Sequence, residues 1–305
     1  MLEGRRFWFV GIGGAGMSAL ALVARAWGAE VGGSDRARSS YVDRLEEAGI
    51  PVEIGHEAAN VPDGAEIVVS SAIAPDNPEV AGREVKRRGE LLAELVQLRP
   101  SIVVAGAHGK TTTAGMIAFC LDRLGEDPAF LIGGEIEQLG GNARAGEGWL
   151  IAEGDESDRS LELLRPQIAV LTNVELDHHA TFASLADLRE AFRAFLALAR
   201  GANVVWDRPE LLALLPDGSP DAATVVRFDA GEPLLLAGRV RFRWRGAQVS
   251  LAVPGAHNAL NAAAALEAAR LAGAEDALAI HGLADFRGAG APFPTDGIVT
   301  RSNSS

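Results

Sequence analysis

Ile102-Val-Val-Ala-Gly-Ala-His-Gly-Lys110-Thr-Thr-Thr113 decides the reading of this chain, because an apolar run breaks into a glycine loop that ends in Lys-Thr-Thr before a helix-like segment. That order suits a grip on a nucleotide triphosphate. Gly106 and Gly109 let backbone N–H groups approach phosphate oxygens, Lys110 supplies a mobile positive charge, and Thr111 offers a hydroxyl to Mg2+. His108 and Thr112 belong to the same candidate nucleotide site. Lys86 and Lys110 are the only lysines among 28 Lys and Arg, so the loop lysine is not drawn from a rich background. The motif departs from the common G-x-x-x-x-G-K-[ST] form, since Gly106 and Gly109 enclose only two residues and Val104 stands where a first glycine would be.

At 305 residues and 48% hydrophobic composition, the chain has room for two ordinary domains with their own cores. A net charge of −13 argues against a nucleic-acid partner, which would need clustered Lys and Arg to release counterions. Small anions remain compatible, since local loops hold them. The single cysteine, Cys120, excludes an internal disulfide and a Cys-based metal cluster, and its apolar setting predicts a buried thiol. No apolar run reaches the roughly 20 residues of a membrane helix, and the start reads as a first strand rather than a signal peptide, so the expectation is a cytoplasmic protein without a membrane partner. The oligomeric state has no sequence signature.

Working outward, Phe7 to Val10 reads as a parallel strand buried on both faces, which Gly11-Ile-Gly13-Gly14-Ala-Gly16 turns into a helix from Met17 to Trp27. Asp35 follows the next strand, Glu30 to Gly33, at about the distance where Rossmann folds place a ribose-binding acid. A helix from Ser40 to Ala48 and strands Pro51 to Ile54 and Ile67 to Ile73 continue the alternation, with Ser70 and Ser71 at a strand's carboxyl end. Asn77 to Arg99 reads as helical and charged. Pro100 marks a boundary, giving residues 1–98 and 99–284 as two α/β domains and 285–305 as a disordered or aberrant tail. In the second domain, Ala129 to Ile132, Trp149 to Glu153, Ile168 to Asn173 and Asn203 to Trp206 read as strands, and Leu185 to Arg200 and His257 to Leu271 as helices. Arg239 to Val253 alternates like an antiparallel hairpin turning at Arg245-Gly246.

Three further segments carry candidate chemistry. Glu153-Gly-Asp-Glu-Ser-Asp158 puts an acid at a strand's carboxyl end, on the sheet edge of the phosphate loop, where Mg2+ takes one or two carboxylates plus substrate phosphates. Asp177-His178 ends the Ile168 strand in the same way, and a neutral histidine there can bind metal, orient a ligand or accept a proton. Asn258 and Asn261 lie three apart on one helix face, where an amide can read an adenine edge or simply cap the helix. His56 and His281 read as surface or packing residues.

In this order and together, Gly11-Ile-Gly-Gly-Ala-Gly-Met17-Ser18, Ser70-Ser-Ala-Ile73, Gly106-Ala-His-Gly-Lys-Thr-Thr112, the 153–158 acids, Thr172-Asn-Val-Glu-Leu-Asp-His178 and His257-Asn-Ala-Leu-Asn261 resemble the Mur ligase family over residues 5 to about 290. The match is closest to the branch that joins L-alanine to UDP-N-acetylmuramate. The short Gly-x-x-Gly-Lys-Thr loop is that family's form. The resemblance implies a Rossmann-like domain followed by a P-loop-type ATPase domain, and ligation in which ATP phosphorylates a carboxylate and an amine attacks the acyl phosphate. It implies that Lys110 holds the β- and γ-phosphates, Thr111 and Glu153 serve Mg2+, His178 helps hold a second Mg2+, and Asn258 and Asn261 meet the nucleotide. Lys110, Glu153 and His178 are thus the expected catalytic set. Gly11, Gly13, Gly14, Gly16, Met17, Ser18, Asp35, Ser70 and Ser71 are expected to hold the UDP-sugar.

The chain departs from the family in three places. The family's third domain is expected to be missing, Ala291-Pro292 stand where a pair of arginines should follow Gly290, and Arg83 to Glu90 is short for a strand between two helices. These departures predict ligand binding with little alanine-dependent turnover, and a frayed last strand in the first sheet. Two other readings use the same residues: a non-catalytic binder of UDP-sugar and nucleotide, and an NAD-dependent oxidoreductase, which explains the Gly11 loop and Asp35 but has no need of Lys110.

Overall fold

The computed structural model describes residues 1–175, 182, 184–216 and 223–290. β1 (Arg6–Val10) buries Phe7 through Val10, as a central parallel strand covered on both faces requires. Gly11 turns the chain at a φ of +80° into α1 (Ala15–Ala26). β2 (Glu30–Asp35), α2 (Ser40–Glu47), β3 (Val52–Ile54), β4 (Glu66–Val69) and β5 (Val85–Arg87) complete a sheet of order β3-β2-β1-β4-β5. Every pair in it is parallel. The order reverses at β1, so a crevice opens at the carboxyl ends beside the Gly11 loop.

α3 (Arg88–Leu98) follows β5 directly and stops before Pro100. The second sheet begins with β6 (Ser101–Ala105), buried throughout, and α4 (Lys110–Arg123). Then come β7 (Ala129–Ile136), β8 (Gly141–Arg144), β9 (Leu150–Glu153), β10 (Ile168–Leu171), α5 (Leu185–Ala197), β11 (Ala202–Trp206), α6 (Pro209–Leu212) and β12 (Thr224–Phe228). Its order is β12-β11-β10-β6-β9-β7-β8, parallel except for β8 against β7. A small antiparallel sheet of β13 (Leu234–Leu236), β14 (Arg239–Trp244) and β15 (Ala247–Leu251) leads to α7 (Ala256–Leu271) and α8 (Asp276–Leu283). The α/β expectation of a Rossmann-like unit followed by a P-loop-type unit is met.

The two sheets share apolar packing. Phe9, Leu20, Leu91 and Leu95 belong to the same buried cluster as Val103, Leu131 and Ala152. Arg44 of α2 donates to Glu135 of β7 at 2.8 Å, and Asn142 of β8 donates to the Ala15 carbonyl at 3.2 Å. Cys120 is buried as expected, and burial pushes its thiol up to about 12.

Several expectations are corrected. Residues 77–84 form turns rather than helix, because Glu79 is drawn into a buried polar cluster and Gly82 adopts a φ of +72°. Val85–Arg87 does form the last strand of the first sheet, pairing Ile67 with Val85 through Val69 with Arg87. β7 runs four residues past Ile132 and returns as β8, while β12, β13 and α8 carry too little periodicity to be read locally. Order also extends past Phe286. That ring is fully buried, 5.6 Å from the Phe119 ring centroid, and Gly290 donates its N–H to the Glu135 carbonyl at 2.9 Å. Burying such a ring contributes about 1.5–3 kcal/mol, enough to hold the segment down. Residues 291–305 lie outside the described residues.

An ionic cluster fastens the residue before β1 to β4, β5 and α3. Arg5 and Lys86 both reach Glu66, at 2.6 and 2.7 Å, and both also reach Glu94. Hydrogen bonding from Arg5, aided by Lys86 and by both positive charges, outweighs partial burial and lowers the Glu66 carboxyl from 4.5 to about 2. A depressed folded-state value contributes stability that is present above pH 4.5 and is lost as pH falls toward about 2. Glu66→Gln should therefore lose less stability than the parent across that window in urea melts. Parallel stability curves from pH 5 down to pH 2 would show that Glu66 carries none of the acid lability.

Candidate active site

The phosphate loop is built by its neighbours as much as by its own glycines. Gly109 adopts a φ of +82° as the N-cap of α4, and a Cβ there would stand 2.5 Å from Oδ1 of Asn261 on α7. Gly106 adopts a φ of +133°, with Thr172 Oγ1 only 2.2 Å from where a Cβ would be. Thr172 donates to the His108 carbonyl at 2.7 Å, while Asn173 accepts from the His108 N–H at 2.9 Å and donates back to its carbonyl at 2.8 Å. The loop is therefore clamped to the carboxyl end of β10. His108 itself is exposed, with Nε2 3.4 Å from Glu175. Lys110 Nζ donates to the Gly106 carbonyl at 2.6 Å and to both carboxylate oxygens of buried Glu156 at 2.9 and 3.0 Å. Thr112 follows, half-buried, in the first turn of α4.

Glu153 ends β9 beside this loop. Its Oε2 accepts from Thr111 Oγ1 at 3.1 Å and its Oε1 from the Gly133 N–H at 2.6 Å. Although part of the residue meets solvent, the dense protein around the carboxyl pushes it above the usual carboxylate range, against those hydrogen bonds and the charge of Lys110. A carboxylate beside a hydroxyl is a donor set that suits a hard divalent cation. Among the described residues no group of three or more His, Cys, Asp or Glu could hold a metal ion. Asp177 and His178 lie outside the described residues.

The first glycine loop faces the same way. Gly13 donates its N–H to Asp35 Oδ2 at 2.9 Å, and a Cβ at Gly13 would meet that oxygen, Val42 and Ser39. Asp35 thus holds the loop. Gly11 approaches Ser70 Oγ and Ile73, while Ser71 is exposed at the β4 end. Met17 and Ser18, expected to meet a ligand, have buried side chains: Met17 packs in the core and Ser18 Oγ donates to the Ala15 carbonyl at 3.0 Å. What α1 offers is the N–H groups of Ala15, Gly16 and Met17, with Gly14 as an N-cap that makes no side-chain hydrogen bond. A cavity of about 160 Å³ is lined by Gly16 and Arg88 on one side and by Lys110, Gly133, Glu153 and Asp155 on the other.

Of the two expected amides, Asn261 reaches the phosphate loop, whereas Asn258 donates back to the Pro254 carbonyl at 2.7 Å and caps its own turn. Five residues near the two loops escaped sequence reading. Gly133 and Gly134 sit at a register shift in β7 and leave room for Glu153 and Thr111; a glycine pair inside an apolar strand was the available signal. At the ends of β2 and β3, Glu79 is fully buried, accepts from Ser34 and Asn60 and lies 2.9 Å from His56 Nδ1, so His56 belongs to a polar network at the crevice. Arg88 had no local signal at all.

Residues 6–99 match the Mur ligase family, catalytic domain, and residues 104–269 match the Mur ligase middle domain. The chain belongs to the Mur ligase family. A relative named UDP-N-acetylmuramate--L-alanine ligase from Acidobacterium capsulatum is 41% identical over 97% of this chain and 69% of its own length. One from Gloeobacter violaceus, of the same name, is 43% identical over 92% and 64%. The chain thus spans about two thirds of the length of the curated relatives it matches. Among solved Mur ligase structures, UDP-N-acetylmuramate-alanine ligase from Thermotoga maritima superposes with a TM-score of 0.80 at 27% identity, covering 93% of this chain and 69% of that one. The Neisseria ligase named for UDP-N-acetylmuramate and L-alanyl-gamma-D-glutamyl-meso-diaminopimelate gives 0.82 at 28%, covering 93% and 98%. None of the described helices of this Mur ligase chain is long and apolar enough to cross a membrane.

The closeness of Gly109 to Asn261 gives a direct test. Gly109→Ala combines left-handed strain of about 1–2 kcal/mol with a clash, and should abolish binding of an ATP analogue in calorimetry. Gly125→Ala carries similar strain at a φ of +78° with nothing within 4 Å, and should lower stability alone while binding persists. Equal binding losses in both variants would show that strain, not the loop's fit to α7, is what matters.

Proposed function

We propose that this chain carries the UDP-sugar and ATP sites of a cytoplasmic ligase that joins L-alanine to UDP-N-acetylmuramate in peptidoglycan precursor synthesis. The observation that supports it best is the shared cavity, in which the head of α1 faces Lys110 and Glu153. A UDP-sugar held at the Gly11 loop and the Ser70 end of β4 would send its carboxylate toward that junction. ATP held at the second loop would present its γ-phosphate from the other side.

Each residue then has a task. Lys110 leaves Glu156 and neutralises the β- and γ-phosphates. Backbone N–H groups of the loop cradle them. Asn261, poised at Gly109, keeps the loop in register with the adenosine side. Thr111 and Glu153 would hold Mg2+, whose contribution when bound is neutralisation of phosphate charge. Such chemistry asks the protein mainly for positioning, which can contribute about 7–11 kcal/mol. His178 and Asn258 complete the proposed site at the reacting carboxylate and the nucleotide. The buried Glu79 and its partners Ser34, His56 and Asn60 would serve the uridine side.

A peptide amine, as in the name of the Neisseria ligase, is the second reading. It has overall fold similarity in its favour. Identity of about 40% to relatives named as alanine ligases, over more than 90% of the chain, weighs toward alanine.

Lys110→Ala should weaken binding of a non-hydrolysable ATP analogue with Mg2+ by about tenfold or more, the cost of one charge-assisted contact, and leave UDP-N-acetylmuramate binding within about twofold. Titration calorimetry on the whole chain reads both. Unchanged nucleotide affinity would remove the second loop from the proposal, and absence of UDP-sugar heat in the parent would remove the first.

A further inference from the structure

The roles above leave Arg88 unused, although it lines the shared cavity. It opens α3 at the carboxyl end of β5, and its side chain is 23% exposed. Nη2 donates to Asp155 Oδ2 at 3.2 Å and to Asp158 Oδ2 at 2.9 Å. Nη1 lies 3.2 Å from where a Cβ on Gly16 would stand. One guanidinium therefore lies beside the head of α1 on one side and bonds the acidic turn on the other. A Cβ on the neighbouring Gly89 would meet Ser160 Cβ at 2.4 Å, so the α3 backbone is pressed against the segment that follows the turn. The side chain is left as the part that can move.

Four acids, Glu153, Asp155, Glu156 and Asp158, gather in the turn, and among the described residues Lys110 bonds to Glu156 while Arg88 bonds to Asp155 and Asp158. Both cations face a proposed anion site, Lys110 the nucleotide loop and Arg88 the first glycine loop. An anion that draws either one away leaves the turn more negative. A divalent cation restores two charges at once.

We propose that Arg88 is a positioning residue that changes partner: it holds Asp155 and Asp158 while the Gly11–Gly16 loop is empty and turns to the UDP-sugar diphosphate when that loop fills, releasing the carboxylates to favour Mg2+ arriving with the nucleotide. The inference rests on the first loop being the UDP-sugar site. A bidentate guanidinium suits both partners, since carboxylate and phosphate present the same paired oxygens. Coupling between sites is reciprocal, so bound Mg–nucleotide must in turn tighten UDP-sugar binding.

The test is calorimetric titration of UDP-N-acetylmuramate into the whole chain at constant free Mg2+, with and without a non-hydrolysable ATP analogue. In the parent, the analogue should tighten UDP-sugar binding by about fivefold or more. Arg88→Ala should cut that factor to below about twofold because its affinity for the analogue alone rises to about the value the parent reaches with UDP-sugar bound, and Arg88→Lys should restore part of the factor. Asp158→Asn, which removes one of the two carboxylates that hold Arg88 and keeps the arginine, should tighten UDP-sugar binding in the absence of nucleotide and shrink the factor. It keeps the test decisive if Arg88→Ala proves unstable in a thermal melt. UDP-sugar binding that is normal but uncoupled in the parent, or coupled equally in all variants, overturns the role of Arg88 and leaves the site reading intact. No UDP-sugar heat in the parent overturns both.

Discussion

The site depends first on the clamp between the phosphate loop and the ends of strands it did not grow from. A loop that exposes backbone N–H groups toward an anion has few internal hydrogen bonds, so something else must hold its shape. Thr172 and Asn173, at the carboxyl end of β10, take both backbone groups of His108, and Asn261 fills the space that glycine leaves at position 109. The parallel pairing of β6 with β10, Ala105 opposite Leu171, brings those residues alongside. Loop conformation is thus a consequence of sheet register.

A second constraint is the junction between the sheets. The buried cluster that includes Phe9, Leu95 and Leu131 runs without interruption from one sheet to the other, and α3 packs within it while carrying Arg88 at its head. Burial of that kind fixes the distance between the two glycine loops in this conformation. Polar groups then sit on a rigid apolar base: Arg44 on Glu135, Asn142 on the Ala15 carbonyl and Arg88 on the acidic turn. Moving one sheet on the other would strand these groups, so loop filling and sheet position are physically linked.

Legibility followed the range of the interaction. Strand, glycine loop and helix occur within short windows at residues 7–27 and 102–123, and both starts were read correctly from apolar runs broken by glycine. Glu153 was legible because an acid ends an apolar strand. Family order says nothing about which way a side chain turns, and α1 directs those of Met17 and Ser18 inward, leaving the backbone as what Met17 can offer. Phe286 was misread as the end of order because a single aromatic has no periodicity, yet its burial against Phe119 holds the chain down.

The sequence by itself determined the α/β class, the two glycine loops and the acids at strand ends, since these arise from backbone preferences and hydrophobic runs that act over a few residues. Only the tertiary structure decided that Asn261 rather than Asn258 meets the loop, that Gly133 makes room for Glu153, that Glu79 is buried with His56, and that Arg88 lies between both loops. Those partners are far apart in the chain. Their meeting is set by strand order, helix rotation and the packing of a common core, which no local window of residues contains.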